Sequence, residues 1–393
     1  MLRAGHERLS DTAVLARHEV WRGPSAEGTP RPGALSGITR PARPDPLFGG
    51  CSACLGRGRF YGIVPPMLNP SPSTLLRRAS RALAAGSLAL WVALTGGTAL
   101  AAPSKASCPP EPAPLPADRL AAQARDRGLM WTIKRDGRTS YLYASLHVGK
   151  PGWAAPGPRL RKALDEVDAV ALELDPLDRD AWKMPAMPEL PLDAAMRRRL
   201  DAQAAAVCLA PQALAAMHPL LQTSTYMLLR ARSLGLDVRY GQEMLLSQWA
   251  RDRGLPVLAL ETLQGQLEAL LPADADAARH ELRANLQQLE RPKSLLRTLD
   301  TMVTVYDRGD LGRLNRYTDW CDCVSDAADR AALQRINDGR NPALAQRISE
   351  LHQRGQSLLV AVGAMHMTGP RALTLLLQDQ GFEVTLMPRS GSQ

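Results

Sequence analysis

The chain lacks several things that would have settled its class at once. The apolar run from Ala82 to Leu94 holds 13 residues, too few for a helix to cross a bilayer comfortably. No second C-x-x-C accompanies Cys51 and Cys54, so the zinc site that such a pair can begin is left half made. No nucleophile-elbow pattern surrounds Ser145, which argues against a serine hydrolase. No cysteine closely follows Ala102, so there is no point for lipid attachment. A basic surface is missing too, despite a formal net charge of +9. Residues 1–101 hold 12 of the 48 Lys+Arg and 5 of the 39 Asp+Glu, leaving 36 against 34 in the rest. That nearly neutral body has no basis for a nucleic-acid partner, which needs a basic patch.

What is present near the start is an export signal. Arg77, Arg78 and Arg81 precede the short apolar run, and Thr98-Ala99-Leu100-Ala101-Ala102 ends it. A charged segment, a short apolar segment and an Ala-x-Ala site together make a secretory signal peptide. The signal spans 67–101 and begins at Met67, behind 66 residues rich in Arg, Pro and Gly that show no amphipathic period. Residues 1–66 are therefore expected to be a start-site error. Residues 102–118 form a Pro-rich tether, and 119–388 a single domain, with 389–393 as a loose tail. The expected location is periplasmic or secreted, with no permanent membrane span after cleavage. The exported part keeps Cys108, Cys208, Cys321 and Cys323, an even count that favours disulfides outside the cytoplasm. Three pairings are possible; the close spacing of Cys321 and Cys323 suggests that each pairs elsewhere, with Cys108 and Cys208.

The body reads as α/β. Leu129–Ile133 and Thr139–Tyr143 flank Asp136-Gly137, the signature of a β-hairpin. A helix is expected around Leu160–Val167, then the unalternating apolar strand Ala169–Leu174, of the kind buried on both faces. Residues from about Leu192 to Arg239 look helical. A short strand at Asp237–Tyr240, a helix at Glu243–Arg253 and a strand at Pro256–Leu260 follow. One long helical stretch is expected over Leu263–Arg316. The end returns to α/β, with a helix near Pro342–Arg354, a strand at Leu358–Val362, a helix near Arg371–Gln378 and a strand at Glu383–Met387. Strands at both ends with helices between imply a mixed central sheet assembled from N- and C-terminal βα units, with a helical insertion.

Two segments share a pattern: Tyr141-Leu142-Tyr143-Ala144-Ser145-Leu146-His147 and Val360-Ala361-Val362-Gly363-Ala364-Met365-His366. Each is an apolar strand, a small residue, two spacers and a histidine, with Pro151 and Pro370 four positions on. In open α/β sheets ligands gather outside the carboxyl ends of strands, and Glu173 lies near the end of a third. Two imidazoles and a carboxylate suit a catalytic transition metal with an open water position. The same three side chains could instead run metal-free general-base hydrolysis. A lone histidine at a strand end is more often a satisfied turn residue, but two matching units beside an acid raise the ligand reading. His218 reads as a packing or surface residue, His280 and His352 as solvated helix faces, and Asp175 as a cap for the segment from Pro176.

These segments, with Leu172-Glu173-Leu174-Asp175, Leu260-Glu261-Thr262 and Gln266, resemble the TraB/GumN family, which is grouped with the Tiki metalloproteases. The resemblance implies a hydrolytic centre of two Gly-x-x-His motifs and a glutamate, carried here by His147, His366 and Glu173. It implies a divalent transition metal (manganese, cobalt or zinc) and a peptide or small-molecule substrate. Glu261, Arg340 and Asn341 match family positions that line the same cleft, where Arg340 would orient a substrate carboxylate or hold Glu173. A buried ion pair or helix cap explains Arg340 and Glu261 equally well. The first motif departs from the family with Ala144 in place of glycine, which would be costly if that position needs φ > 0. Glu243 stands where relatives often have aspartate. Two functions follow, an exported metallohydrolase and a non-catalytic envelope binding protein that keeps the fold. Mass spectrometry of the mature protein is expected to find no peptide from residues 1–66, and any such peptide would contradict the start at Met67.

Overall fold

The structure is a computed structural model, and it describes residues 108–389. The expected start-site segment, the signal peptide, the Cys51/Cys54 pair and the last four residues lie outside the described residues. The described residues fall within Phe60–Gln393, one of two compact units. Six strands form one mixed sheet: β1 (Met130–Arg135), β2 (Arg138–Ser145), β3 (Ala169–Leu172), β4 (Val257–Ala259), β5 (Leu358–Gly363) and β6 (Glu383–Leu386). Twelve α-helices accompany them: α1 (Ala117–Ala122), α2 (Pro158–Glu166), α3 (Ala194–Ala206), α4 (Pro219–Arg230), α5 (Gln242–Asp252), α6 (Leu263–Leu270), α7 (Ala275–Leu289), α8 (Pro292–Arg308), α9 (Leu311–Asn315), α10 (Ala327–Ile336), α11 (Asn341–Gln353) and α12 (Leu373–Asp379).

The strand order is β4-β3-β5-β2-β1-β6. β1 and β2 form the expected hairpin, with Asp136 at φ 52° and Gly137 at φ 73°. Two consecutive left-handed residues make a turn whose twist matches that of the flanking strands. β6 pairs with β1, also antiparallel. The remaining pairings are parallel: β2 with β5, β5 with β3, and β3 with β4. Leu358, Leu359, Val360, Ala361 and Val362 of β5 are fully buried, as are all four residues of β3. That explains their continuous apolar runs, since both faces of these strands meet core.

Helices cover the sheet on both sides, giving two core clusters. A third core, carrying Leu200, Leu282, Leu286 and Leu289, belongs to the inserted helices α3, α4, α6, α7 and α8. The long stretch expected from Leu263 to Arg316 is in fact four helices, α6 to α9. Pro272 follows the end of α6, Pro292 opens α8, and Gly309 ends α8 in the left-handed conformation at φ 64°; each interrupts a helix by its backbone geometry. The strand expected at Asp237–Tyr240 is instead a 3-10 turn over Val238–Tyr240, because the Asp237 side chain accepts from the Arg239 amide. Only Gly149 and Asp237 bridge there in β fashion.

The disulfides also differ from expectation: Cys108 joins Cys208, and Cys321 joins Cys323. Asp322, between the latter two, sits at φ 50°, a turn that brings the Cα atoms of its neighbours to 5.1 Å, within ordinary disulfide reach. The described part of the Pro-rich tether is not loose. Cys108 is anchored by its disulfide, and Glu111 pairs with Arg232 and Arg239. Arg389, expected to begin a free tail, donates to the Asp126 carbonyl at 2.9 Å. His352, read as solvated, is 1% exposed and its Nε2 meets the Arg135 carbonyl at 2.9 Å; its helix packs its last turn under the hairpin. Asp175 behaves as expected, accepting from the Leu177 amide.

Candidate active site

Because β2, β5, β3 and β4 run parallel, their carboxyl ends share one edge of the sheet. His147 follows β2 by two residues, His366 follows β5 by three, Glu173 follows β3 directly, and Glu261 follows β4 by two. Four strands separated widely in sequence thus deliver four chemical groups to one edge. α11 adds two more from its amino end, Arg340 at the cap and Asn341 in the first turn.

Arg340 is the hub of this cluster. Its Nη2 donates to both Glu173 and Glu261, and its Nε reaches Glu261 Oε2 at 3.2 Å. Its Nη1 lies 3.4 Å from His366 Nε2. Gln266 donates to Glu261 at 3.0 Å and to Glu173 at 3.4 Å. The Gly363 amide donates to Glu173 Oε1 at 2.7 Å, and an added Cβ on Gly363 would stand 3.4 Å from that oxygen. That is an ordinary van der Waals contact, and Gly363 lies at φ −49°, so this position does not demand glycine. Ala144 lies in the strand core, fully buried, and does not adopt positive φ. The anticipated backbone penalty for alanine in the first motif therefore does not arise.

His366 is 2% exposed, and its tautomer follows from Asn341. The Asn341 Nδ2 donates to the carbonyls of His366 and Arg371, at 3.1 and 2.7 Å. Its Oδ1 must then be the acceptor facing His366 Nδ1 at 2.6 Å, so Nδ1 carries the hydrogen and Nε2 keeps its lone pair. That lone pair lies 3.8 Å from Glu173 Oε1. Burial pushes His366 down to about 4; Glu173 opposes, while Arg340 and His147 add to the lowering. It is neutral at physiological pH.

His147 is organised in a parallel way by Glu243, which the sequence marked only as standing where relatives often have aspartate. Its Nδ1 lies 3.2 Å from Glu243 Oε1, while the side chain remains 65% exposed. Glu243 also accepts from the Ser145 hydroxyl. The contact is built by close backbone approach: Gln242 N donates to the Leu146 carbonyl at 2.9 Å, and a Cβ on Gly241 would stand 2.4 Å from the His147 carbonyl. Glu243 is 96 residues from His147, and no local spacing could have paired them. The adjacent carboxylate of Glu243 raises His147 to about 9, with Glu173 adding to the rise and Arg340 opposing it.

Glu173 is 4% exposed. Burial alone would raise it, but His366, Arg340, His147 and the Gly363 amide bring it down to about 2. With His366 neutral, Arg340, His147 and the amide carry the lowering at physiological pH. For Glu261 burial wins over Arg340 and the group is raised. For Glu243 burial is outweighed by His147 and Ser145, and the group is lowered.

The donor chemistry fits a divalent transition metal. Both imidazoles have Nδ1 against an oxygen, an arrangement that orients metal-binding histidines and leaves Nε2 to the ion. Two features condition the fit. Arg340 occupies one oxygen of Glu173 and faces His366 Nε2 at 3.4 Å, and among the described residues His147, Glu173 and His366 do not bring three donor atoms within 4.8 Å of one another. His147 must also lose a proton before it can bind a metal.

The TraB/PrgY/gumN family model matches residues 129–386, so the chain belongs to that family. No curated protein and no solved structure matches it. Every group at this edge falls inside the matched span. In an NMR titration of the metal-free protein, the His147 ring is expected to titrate near 9, and in Glu243→Gln to move down toward the ordinary 6.5. Its stabilising contribution is full below about 6.5 and is lost as pH rises toward 9. A His147 midpoint that does not move in the variant would contradict the pairing.

Proposed function

Proceeding from membership of the TraB/PrgY/gumN family, we propose that the protein is an exported metal-dependent hydrolase acting on peptides or small amide substrates. His147 and His366 hold a divalent transition metal (manganese, cobalt or zinc), and Glu173 serves as third ligand or general base. The observation that carries this reading is the matched preparation of two histidines, with Nδ1 held by Asn341 and Glu243. Such a metal, when bound, polarises a carbonyl and acidifies water.

The protein's own groups divide the remaining work. While Arg340, His147 and the Gly363 amide hold Glu173 below the ordinary carboxylate range, it is too acidic to be an efficient base at neutral pH. A substrate carboxylate that draws the Arg340 guanidinium to itself, by a forked contact, frees Glu173 and raises its basicity. Glu173 then accepts a proton from the attacking water and returns it to the leaving amine. Glu261 and Gln266 keep Arg340 within reach of both partners.

The metal-free esterase-like alternative loses support at His147, which at about 9 is protonated at neutral pH and has no base to offer. The non-catalytic binding reading draws on Arg340, whose bridge between Glu173 and Glu261 would serve a purely structural role equally well. No helix among the described residues is long and apolar enough to cross a membrane, which is compatible with export.

Elemental analysis of protein purified without chelators separates these readings. His147→Ala/His366→Ala is expected to hold about one equivalent less transition metal than the wild type, and Asn341→Ala to weaken binding by about 10–100-fold. Hydrolysis of a peptide library is expected to stop on chelation and in His366→Ala. Equal metal content in wild type and double variant would move the assignment to the binding protein.

A further inference from the structure

A second group of metal-type donors lies away from the sheet edge, where α10 meets α7. His280, on α7, faces Asp326, the N-cap of α10, and Asp329, in its first turn. One ligand atom from each of the three lies within 4.8 Å of the other two. His280 Nε2 stands 3.4 Å from Asp326 Oδ2 and 3.6 Å from Asp329 Oδ1. Nε2 itself is buried, in a ring 35% exposed, and its close contacts with the two carboxylates lack hydrogen-bond geometry. Three metal-type donors that converge without hydrogen bonding one another need an explanation.

The carboxylates are held in place by their other oxygens. Asp326 Oδ1 accepts from the Asp329 amide at 2.9 Å, capping α10. Asp329 Oδ2 accepts from the Ser325 amide at 2.8 Å and from the Ser325 hydroxyl. Helix capping therefore accounts for one oxygen of each aspartate, and not for the two that converge on Nε2. The Asp329 side chain is 8% exposed; burial works against its charge, and the Ser325 hydroxyl and amide and the Asp326 amide lower it.

The spacing decides what fits. Zinc binds imidazole nitrogen and carboxylate oxygen at about 2.0–2.2 Å in tetrahedral geometry, which sets neighbouring donors about 3.3–3.6 Å apart. The two separations from Nε2 fall in that range, and both are long for a hydrogen bond of this kind. We propose that His280, Asp326 and Asp329 form a second cation site, taking zinc or a similar divalent transition metal, independent of the sheet-edge centre. Ser325 and Asp329 also line a groove of about 380 Å³ beside Cys323, from which water can fill the fourth position. Its consequence is mechanical: the ion staples the segment holding Cys321 and Cys323 to α7 and sets one wall of the groove. The positive end of α10 opposes a cation, and two carboxylates outweigh it.

The test uses His147→Ala/His366→Ala, so that the sheet-edge centre cannot contribute. Zinc titrated calorimetrically into this protein is expected to bind at about one equivalent, and adding His280→Ala is expected to abolish it. That variant loses only two ion-pair contacts of a ring 35% exposed, so it should fold as its parent does without zinc. Asp326→Asn keeps a capping side chain while removing the charge. It should weaken zinc by more than the about 10–100-fold typical of losing an outer partner. No uptake in the double variant, or uptake unchanged by His280→Ala, would overturn the site.

Discussion

The arrangement depends on β5 being inserted between β2 and β3, parallel to both. β5 comes from the far end of the chain, yet pairs residue for residue with β2 through Tyr141–Leu359 to Ser145–Gly363, and with β3 through Ala169–Leu358 to Leu172–Ala361. A slip of one residue would turn its whole apolar set to the wrong face. Each fully buried leucine or valine in it contributes about 1.5–3 kcal/mol relative to exposure. The register that protects the core is the same register that sets Gly363 against Glu173 and places His366 beside it. Site geometry and core packing are thus one constraint.

On that edge the electrostatics are unusual for a structural element. Three carboxylates, one guanidinium and two imidazoles converge, and the two imidazoles are driven in opposite directions, His366 down to about 4 and His147 up to about 9. The cause is environment: His366 is buried against an amide oxygen, whereas His147 is open to solvent beside Glu243. Removing one partner of a buried ion pair is commonly worth 3–5 kcal/mol, while replacing the whole set by apolar residues can be neutral or stabilising. Stability alone does not require such a cluster.

Much of this was legible in the sequence because it is local. Asp136-Gly137 names its turn through two positive φ values, the apolar runs of β3 and β5 announce strands buried on both faces, and a histidine or glutamate just after each marks the carboxyl edge of the sheet. The rest depended on contacts that no window contains. Glu243 matters through a backbone approach between Gly241 and His147, and Arg340 through the docking of α11. The expected long helix broke at Pro272, Pro292 and Gly309, residues visible in the sequence but outweighed there by leucine periodicity. His352 sat in a charged stretch yet packs under the hairpin, and Cys321 paired with its near neighbour because Asp322 tolerates the left-handed conformation. Ala144 ran the other way: a departure from the motif that raised doubt in the sequence is an ordinary core residue in the fold.

The most direct test of the central claim is anomalous diffraction from crystals of the protein soaked in manganese or zinc. The account predicts a peak at the sheet edge, at bonding distance from the Nε2 atoms of His147 and His366. A soaked crystal with no peak between these histidines would contradict it.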